Sequence, residues 1–356
     1  MDLRSTRKME HLQHALKLSR GPLQTGFDDL HLVHQALSPI DLDKIDTSLT
    51  MFNKRLGFPL LINAITGGAP GLENINRKLA EAAREAEIAL AVGSQTAAIN
   101  FPELEYTYKI VRKANPKGLI FANISALADY RHALAAVEMI NADALQLHLN
   151  IAQELAMKEG DRCFAKLKDN IAAIIEHSPV PIILKEVGFG ISYESAMIIQ
   201  DLGISYVDIG GAGGTNFAAI ELERDLENAN YDLINWGIPT AISLLEVKAA
   251  VPVMSIIASG GIYTPLNIIK SLVVGAKMVG IALPALEKAY HQGTQELILY
   301  LNQLILQSKH LMLLTGAEDL SQLSSKPIII NGFTKEWLNN RRIDTALYAQ
   351  RPTTPF

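Results

Sequence analysis

The chain has 356 residues, 49% of them hydrophobic, and a formal net charge of −5, so it can bury a large core. Its lysines and arginines are scattered, which argues against nucleic acid as the main partner, and its single cysteine, Cys163, excludes a disulfide framework. Residues 1–20 lack the apolar core of a signal peptide and no long apolar stretch follows, so we expect a cytoplasmic protein without a membrane span.

Residues 1–57 are predicted to form an extension ahead of the main domain. The pattern over Ser5–Leu18 favours a helix, and the segment that follows is short, mixed and acidic. Such a composition is typical of a segment that packs against a larger folded unit.

From Pro59 onward, short apolar runs alternate with helical patterns. The runs are continuous, as in strands covered on both faces. They are Leu60–Ala64, Ile88–Val92, Leu119–Asn123, Ala144–His148, Ile182–Glu186, Tyr206–Ile209, Val253–Ala258 and Lys277–Ala282. Helical periodicity follows at Leu72–Ala86, Leu127–Ile140, Phe164–Ile175, Tyr193–Leu202, Pro239–Ala249 and Pro265–Val274.

Eight strand–helix units in sequence predict a parallel sheet that closes on itself, an α/β fold of the (β/α)8 TIM-barrel type. An open doubly wound sheet is the alternative, but the even spacing of the strands favours the barrel. We therefore expect one domain, with an extension at 1–57, the barrel at 58–284, and C-terminal helices and a tail at 285–356. One or two helices are expected within Ala285–Thr315.

The segment Ala144–Glu154 combines a strand pattern with unusual polar chemistry. Alternate leucines share one face of the strand, while Gln146, His148 and Asn150 share the other. Gln153 and Glu154 follow directly. These groups could bind an anion and a hard cation together, although a solvent-exposed strand end would have a similar pattern.

Other predicted strands also end in polar or glycine-rich sequence, where a barrel of this kind places its active site. Gly210–Thr215 and Gly260-Gly261 follow the sixth and seventh strands. Glycine lets the backbone approach an anion closely, so several such loops on one rim favour phosphate binding over tight turns alone.

Lys185 lies within an apolar strand, which is costly for a lysine unless the charge is paired. It could form an ion pair with Glu186 or with a neighbour across the barrel. It could also form a Schiff base or stand beside an anionic cofactor, and the last reading needs the fewest further assumptions.

Together these residues resemble type 2 isopentenyl diphosphate isomerase, the flavin-dependent family, over essentially the whole chain. The ordered set of motifs carries the resemblance. It includes Arg7-Lys8-x-x-His11, Ile65-Thr66-Gly67-Gly68, Gly93-Ser94-Gln95, His148-Leu149-Asn150-x-x-Gln153-Glu154, Lys185-Glu186-Val187-Gly188, Asp208-Ile209-Gly210-Gly211 and Ser259-Gly260-Gly261.

The resemblance implies a barrel that binds FMN and Mg²⁺, is reduced by NAD(P)H, and interconverts isopentenyl and dimethylallyl diphosphate as a homotetramer or homo-octamer. It implies a flavin site at Thr66, Gly67, Gly68, Ser94, Asn123, Lys185, Thr215, Gly260, Gly261, Ala282 and Leu283. It implies a substrate site at Arg7, Lys8, His11, Ser94, Gln95, Thr96, His148, Asn150 and Gln153. Glu154 is the implied metal ligand, and Gln153 and Lys185 are the implied catalytic residues.

One position departs from the family pattern. Many members have Arg directly after Gly-Ser-Gln, where this chain has Thr96. One contact to the diphosphate is therefore expected to be weaker or to come from another residue.

Three other functions fit parts of the same sequence. A flavin oxidoreductase of the hydroxy-acid-oxidase type would need a histidine base late in the barrel, and Asp208–Asn216 contains no histidine. An enzyme resembling IMP dehydrogenase would need a nucleophilic cysteine, for which Cys163 is the only candidate. A non-catalytic phosphate-binding barrel would not explain Lys185 together with Gln153 and Glu154.

Overall fold

The structure is a computed structural model that describes residues 21–224 and 231–351. Its strands are β1 Leu30–Leu32, β2 Leu49–Met51, β3 Lys54–Leu56, β4 Leu60–Ile62, β5 Ala89–Ala91, β6 Ile120–Ser125, β7 Ala144–Leu149, β8 Ile182–Glu186, β9 Tyr206–Asp208, β10 Ser255–Ser259, β11 Met278–Ile281 and β12 Ile328–Ile330. The predicted helix over Ser5–Leu18 lies outside the described residues.

Strands β4 to β11 form a closed barrel in which every neighbouring pair is parallel. The eight predicted apolar runs are these eight strands. The (β/α)8 prediction is therefore confirmed, and the open doubly wound alternative is wrong, because β9 also pairs with β10 and closes the sheet.

Helices connect the barrel strands, and further helices follow the last of them. They are α1 Leu72–Glu85, α2 Thr96–Asn100, α3 Tyr106–Ala114, α4 Tyr130–Ile140, α5 Ile151–Ala156, α6 Leu167–His177, α7 Tyr193–Asp201, α8 Phe217–Arg224, α9 Thr240–Ala250, α10 Pro265–Val274, α11 Leu283–His291, α12 Thr294–Thr315, α13 Leu320–Ser324, α14 Gly332–Asn340 and α15 Ala346–Ala349. Local caps set several starts: Ser192 accepts from the N–H of Ser195 at the start of α7. Helix α4 begins later than predicted because Asp129 caps it through the N–H of Arg131.

The barrel interior starts with an apolar layer near its N-terminal end. This layer includes Leu61, Phe121, Ile183, Ile257 and Met278, and all five side chains are buried. The β2–β3 hairpin closes the end of the barrel, and its Phe52 ring packs edge-on against Phe121 at 5.9 Å and against Tyr206 at 4.8 Å. Part of the predicted extension therefore plugs the barrel and gives its floor a rigid apolar base.

After β11 the chain continues into two helices, α11 and α12, as the sequence predicted. The proposed domain boundary at 284–285 falls inside α11, and the division of the chain stays a prediction. In the described part of the chain, α12 is the one helix long and apolar enough in composition to cross a bilayer. Its Leu297, Leu301 and Leu304 are buried against the rest of the molecule.

The two ends of the described chain meet in a small antiparallel sheet in which β1 pairs with β12. Asp29 strengthens this junction, since its Oδ2 accepts from the N–H of Thr334 at 2.8 Å, in the first turn of α14. Gly332, with φ of +57°, is required there because a Cβ would lie 2.2 Å from Oδ1 of Asp29. Asp29 therefore acts as a helix cap supplied by a distant segment.

We predict that Asp29→Ala lowers the free energy of unfolding by about 1 kcal/mol, the usual cost of a lost helix cap. Asp28→Ala is the matched control, since Asp28 is the exposed neighbour. Denaturant unfolding of both variants measures the difference. Equal losses for the two substitutions would show that Asp29 does not cap α14.

Candidate active site

A layer of polar side chains lies above the apolar layer of the barrel, two residues further along most of the strands. The two-residue repeat of a strand explains the position, because residues two apart point to the same side. The layer consists of Asn63, Asn123, Gln146, Lys185, Asp208 and Ser259, all of them buried.

Asp208 is the centre of this layer and is fully buried. Its Oδ2 accepts from Asn63 Nδ2 at 2.7 Å, from Lys185 Nζ at 2.9 Å and from Gln146 Nε2 at 3.4 Å, and its Oδ1 accepts from the Ser259 hydroxyl. Each of these contacts is a donor to Asp208, which suits a carboxylate with only acceptor atoms. Sequence reasoning had assigned Asp208 no role.

Lys185 therefore has a charge partner on the neighbouring strand, and that partner is not Glu186. The Nζ–Oδ2 distance to Asp208 is 2.9 Å, and only 7% of Lys185 is exposed. Glu186 instead holds the loop after β8, accepting the N–H groups of Phe189 at 2.6 Å and Gly190 at 3.1 Å. Burial raises the pKa of Glu186 to about 8, although the two N–H donors act to lower it.

The glycine-rich loops after β9 and β10 pack backbone against backbone. A Cβ on Gly260 would lie 2.1 Å from the carbonyl oxygen of Gly211, and one on Gly261 would lie 2.2 Å from that of Gly213. Both Gly260 and Gly261 have positive φ, +111° and +70°. No other residue type fits this contact, and it leaves a rim formed by main chain.

These loops and four residues of the polar layer, Asn63, Asn123, Lys185 and Ser259, line one cavity of about 890 Å³ at the C-terminal ends of the strands. This is large enough for a bound cofactor and a small substrate side by side. Of the residues predicted from the sequence, it brings together Thr66, Gly67, Ser94, Thr96, Asn123, His148, Asn150, Gln153, Glu154, Lys185, Thr215, Gly260, Gly261, Ala282 and Leu283.

Two predicted site residues, Gln95 and Gly68, do not line the cavity. Gln95 is fully buried in the barrel wall, where its Nε2 donates to the carbonyl of Ala136 at 2.8 Å and its Oε1 accepts the N–H of Asn123 at 3.0 Å. The N–H of Gly68 donates to Thr107 Oγ1 at 3.1 Å. Arg7, Lys8 and His11 lie outside the described residues.

A chain of side-chain amides connects the polar layer with His148. Asn63 Oδ1 accepts from the N–H of Ala64 at 2.8 Å and from Gln146 Nε2 at 3.1 Å. Gln146 Oε1 accepts from Asn123 Nδ2 at 3.1 Å, and Asn123 Oδ1 lies 2.9 Å from His148 Nδ1. Two residues of the predicted polar face, Gln146 and His148, are thus connected through Asn123, whereas the Asn150 side chain bonds to Glu154 instead.

Another part of the cavity wall comes from the segment after β7. Glu154 Oε1 accepts from Asn150 Nδ2 at 2.7 Å, and its Oε2 accepts from the N–H of Asp161 at 2.8 Å. Gln153 Nε2 donates to Glu221 Oε1 at 2.9 Å. Glu221 is 1% exposed and comes from α8, a second residue that sequence reasoning had not identified.

The missed residues left only faint signals in the sequence. Asp208 is an acidic residue in otherwise apolar surroundings, which for a buried carboxylate implies a partner. Glu221 directly follows the apolar run Phe217–Ile220, but the charged residues after it hide the signal. The sequence does not say which partner, since Asn63 and Asp208 are 145 residues apart along the chain.

A family model described as FMN-dependent dehydrogenase matches residues 132–330. The isopentenyl-diphosphate delta-isomerase of Symbiobacterium thermophilum is 41% identical over 99% of this chain and 99% of its own length. The protein of the same name from a Geobacillus species is 42% identical over 98% of this chain and 99% of its own.

Among solved structures, a mandelate oxidase has a TM-score of 0.64 and 15% identity, and covers 90% of this chain and 91% of its own. At that identity the likeness concerns the fold alone. The full-length relatives and the family model are more specific: the chain belongs to the type 2, FMN-dependent family of isopentenyl-diphosphate delta-isomerases.

Proposed function

We propose that this chain interconverts isopentenyl and dimethylallyl diphosphate in the cavity at the C-terminal end of the barrel, with FMN as its cofactor. The observation that carries the proposal is the similarity to proteins of that activity at 41% and 42% identity over nearly the whole chain. The cavity supports it, because residues suited to bind a flavin and residues suited to bind a diphosphate line the same space.

The residues present fit FMN on two sides. Thr66 Oγ1 is buried at the cavity wall without a hydrogen-bond partner among the described residues, so a ligand group there would satisfy it. Ala282 and Leu283 begin α11 at the cavity, and the N–H groups of a helix start, beside the main-chain rim at Gly260 and Gly261, suit a phosphate.

Lys185 is suited to the pyrimidine edge of the flavin. An ammonium group has three donors, and Asp208 takes one of them. The remaining donors of this cavity-lining cation can meet an anionic ring. Ser94 and Asn123 line the same space and offer further polar contacts.

The reaction moves a double bond with no net redox change, so a proton must reach one carbon and another must leave a second carbon. Bound FMN in its reduced form would supply ring nitrogens that carry protons at a fixed position. The chain's task is to position and shield the reacting groups. Gln153, held by the buried carboxylate of Glu221, is the side chain proposed as a proton relay or positioning group.

His148 and Asn150 are proposed to contact the diphosphate, and Glu154 to bind Mg²⁺. No cluster of three His, Cys, Asp or Glu side chains suited to a metal occurs in residues 21–224 and 231–351. Magnesium does not require one, since it commonly takes one or two carboxylates together with phosphate oxygens and waters. Thr96, with its hydroxyl 3.1 Å from that of Ser94, occupies the place of the usual arginine.

Several expectations that rest on the family resemblance stay predictions. They are the roles of Arg7, Lys8 and His11, the use of NAD(P)H as reductant, and the homotetrameric or homo-octameric assembly. The cytoplasmic location, expected from the sequence itself, also stays a prediction.

The competing functions have less support. The mandelate oxidase likeness concerns the fold, and the similar full-length proteins carry the isomerase name. Cys163 is exposed and does not line the cavity, which removes the basis for a mechanism like that of IMP dehydrogenase.

The function is tested with the purified full-length protein. We expect flavin absorbance, and interconversion of the two diphosphates by proton NMR when the flavin is reduced and Mg²⁺ is present. Mandelate should not bleach the flavin. Bleaching of the flavin by a hydroxy acid without isomerisation would favour the oxidoreductase. A colourless, inactive protein would favour the non-catalytic barrel.

We predict that Lys185→Ala lowers the reduction potential of bound flavin by roughly 30–60 mV. This corresponds to losing about 1.4–3 kcal/mol of charge-assisted hydrogen bonding to the anionic reduced ring. Potentiometric titration measures the change. Lys270→Ala is the control, because Lys270 is also buried but donates to the Phe27 carbonyl. An unchanged potential in the Lys185 variant would remove the assigned contact.

We predict that Glu154→Gln raises the Mg²⁺ concentration for half-maximal activity about tenfold or more, since the amide loses the charge that holds the ion. Magnesium titration of activity checks this. Glu159→Gln is the matched variant, because Glu159 lines the same cavity. A larger effect at Glu159 would move the metal ligand to that residue.

A further inference from the structure

We propose that Gln146 positions His148 by fixing which ring nitrogen carries the hydrogen, so that His148 contacts an anionic ligand only after it takes up a proton. The proposal deepens the proposed function and rests on it, since the anion it concerns is the substrate's diphosphate. It makes Gln146, which is fully buried and does not line the cavity, a positioning residue.

The orientation of the first amide is set by the main chain. The N–H of Ala64 can only donate, and it lies 2.8 Å from Asn63 Oδ1, so this atom is the carbonyl oxygen of the side chain. Asn63 Nδ2 then faces the Asp208 carboxylate at 2.7 Å, where a donor is required. Both ends of the Asn63 amide are therefore fixed.

The orientation of Gln146 follows from two acceptors. Its Nε2 lies 3.1 Å from Asn63 Oδ1 and 3.4 Å from Asp208 Oδ2. A flipped amide would place its carbonyl oxygen against both of these oxygens, and such repulsion between acceptors is costly in a buried layer. Gln146 Oε1 is accordingly the atom that faces Asn123.

Asn123 transmits this orientation to the ring. Because Gln146 Oε1 accepts, the Asn123 atom 3.1 Å away is the donor Nδ2, and Oδ1 is left to face His148 Nδ1 at 2.9 Å. An amide oxygen only accepts, so Nδ1 carries the hydrogen. In a neutral ring, Nε2 then has a lone pair instead of a hydrogen.

A lone pair repels an anionic oxygen, so a donor contact through Nε2 requires the doubly protonated ring. Among residues 21–224 and 231–351, Lys185 is paired with His148 in strand register, and the acidic residues Glu154, Glu159 and Asp161 line the same cavity as the ring. The neighbour on β6, Ser125, is uncharged. An arriving anion shifts this balance towards the charged ring, so proton uptake accompanies binding and affinity falls as pH rises.

The first test uses the full-length protein and needs neither flavin nor substrate. ¹⁵N-histidine NMR, with the His148 signals identified by their loss in His148→Gln, should show the Nδ1–H form in the unsubstituted protein. Gln146→Met keeps the side-chain length but removes both the oxygen and the nitrogen of the amide. The Asn123 amide can then turn, and the population of the Nε2–H form of His148 should increase. Gln95→Met is the matched control: Gln95 is an equally buried glutamine that contacts the Asn123 main chain instead.

The second test counts protons. Calorimetric titration with inorganic pyrophosphate at saturating Mg²⁺, in buffers of different ionisation enthalpy, gives the protons taken up on binding. The unsubstituted protein and Gln95→Met should each take up nearly one proton more than His148→Gln. Gln146→Met should lose more than half of this excess, because a neutral Nε2–H ring can donate directly.

An Nε2–H ring in the unsubstituted protein, an uptake equal to that of His148→Gln, or an unaltered tautomer in Gln146→Met would each overturn the proposal. If Gln146→Met does not fold, Asn123→Ala removes the same acceptor from the ring and must give the same loss of the Nδ1–H form. Failure of pyrophosphate to bind at all would count against the proposed function, while the NMR result would still decide the tautomer.

Discussion

The site depends on one buried negative charge. Asp208 is fully enclosed by the barrel, and a carboxylate in that position is tolerated only when its oxygens are satisfied by donors. Those donors come from the loop after β4 and from strands β7, β8 and β10, so a single charge ties together four places in the barrel wall. Removing any one donor would leave the others facing an undercompensated charge. The polar layer is therefore held as a set.

The same polar layer positions side chains on both the flavin side and the diphosphate side of the cavity. Towards the proposed flavin, Asp208 holds the Lys185 ammonium. Towards the proposed diphosphate, the amides of Gln146 and Asn123 hold the His148 ring. Below it, the apolar layer and the β2–β3 hairpin give these side chains a base that excludes water. Groups that exchange protons with a ligand are thus attached to a rigid interior instead of to mobile loops.

The fold was predictable because its signals are local. Continuous apolar runs and helical periodicity mark the eight units, and closure follows from their number and spacing. The partners within the site were not predictable, since Gln153 and Glu221 are 68 residues apart along the chain. Gln95 shows that even adjacent residues differ in a way the sequence does not predict. It directly follows the cavity-lining Ser94, yet the turn into α2 directs its side chain into the barrel wall. Motif membership indicated the neighbourhood of each residue, and only the backbone path decided which side chains reach the cavity.

Similar barrels can support different chemistry. The mandelate oxidase shares this chain's fold at a TM-score of 0.64 but only 15% of its sequence. In this chain the cation beside the proposed flavin is neutralised by Asp208, and Asp208–Asn216, the stretch after β9, offers no histidine base. An oxidation must withdraw a proton and an electron pair from its substrate, whereas an isomerisation must return every proton it takes. A site in which the buried Lys185 and Asp208 are paired with each other, and in which the His148 ring is held in a single tautomer, is suited to the second task.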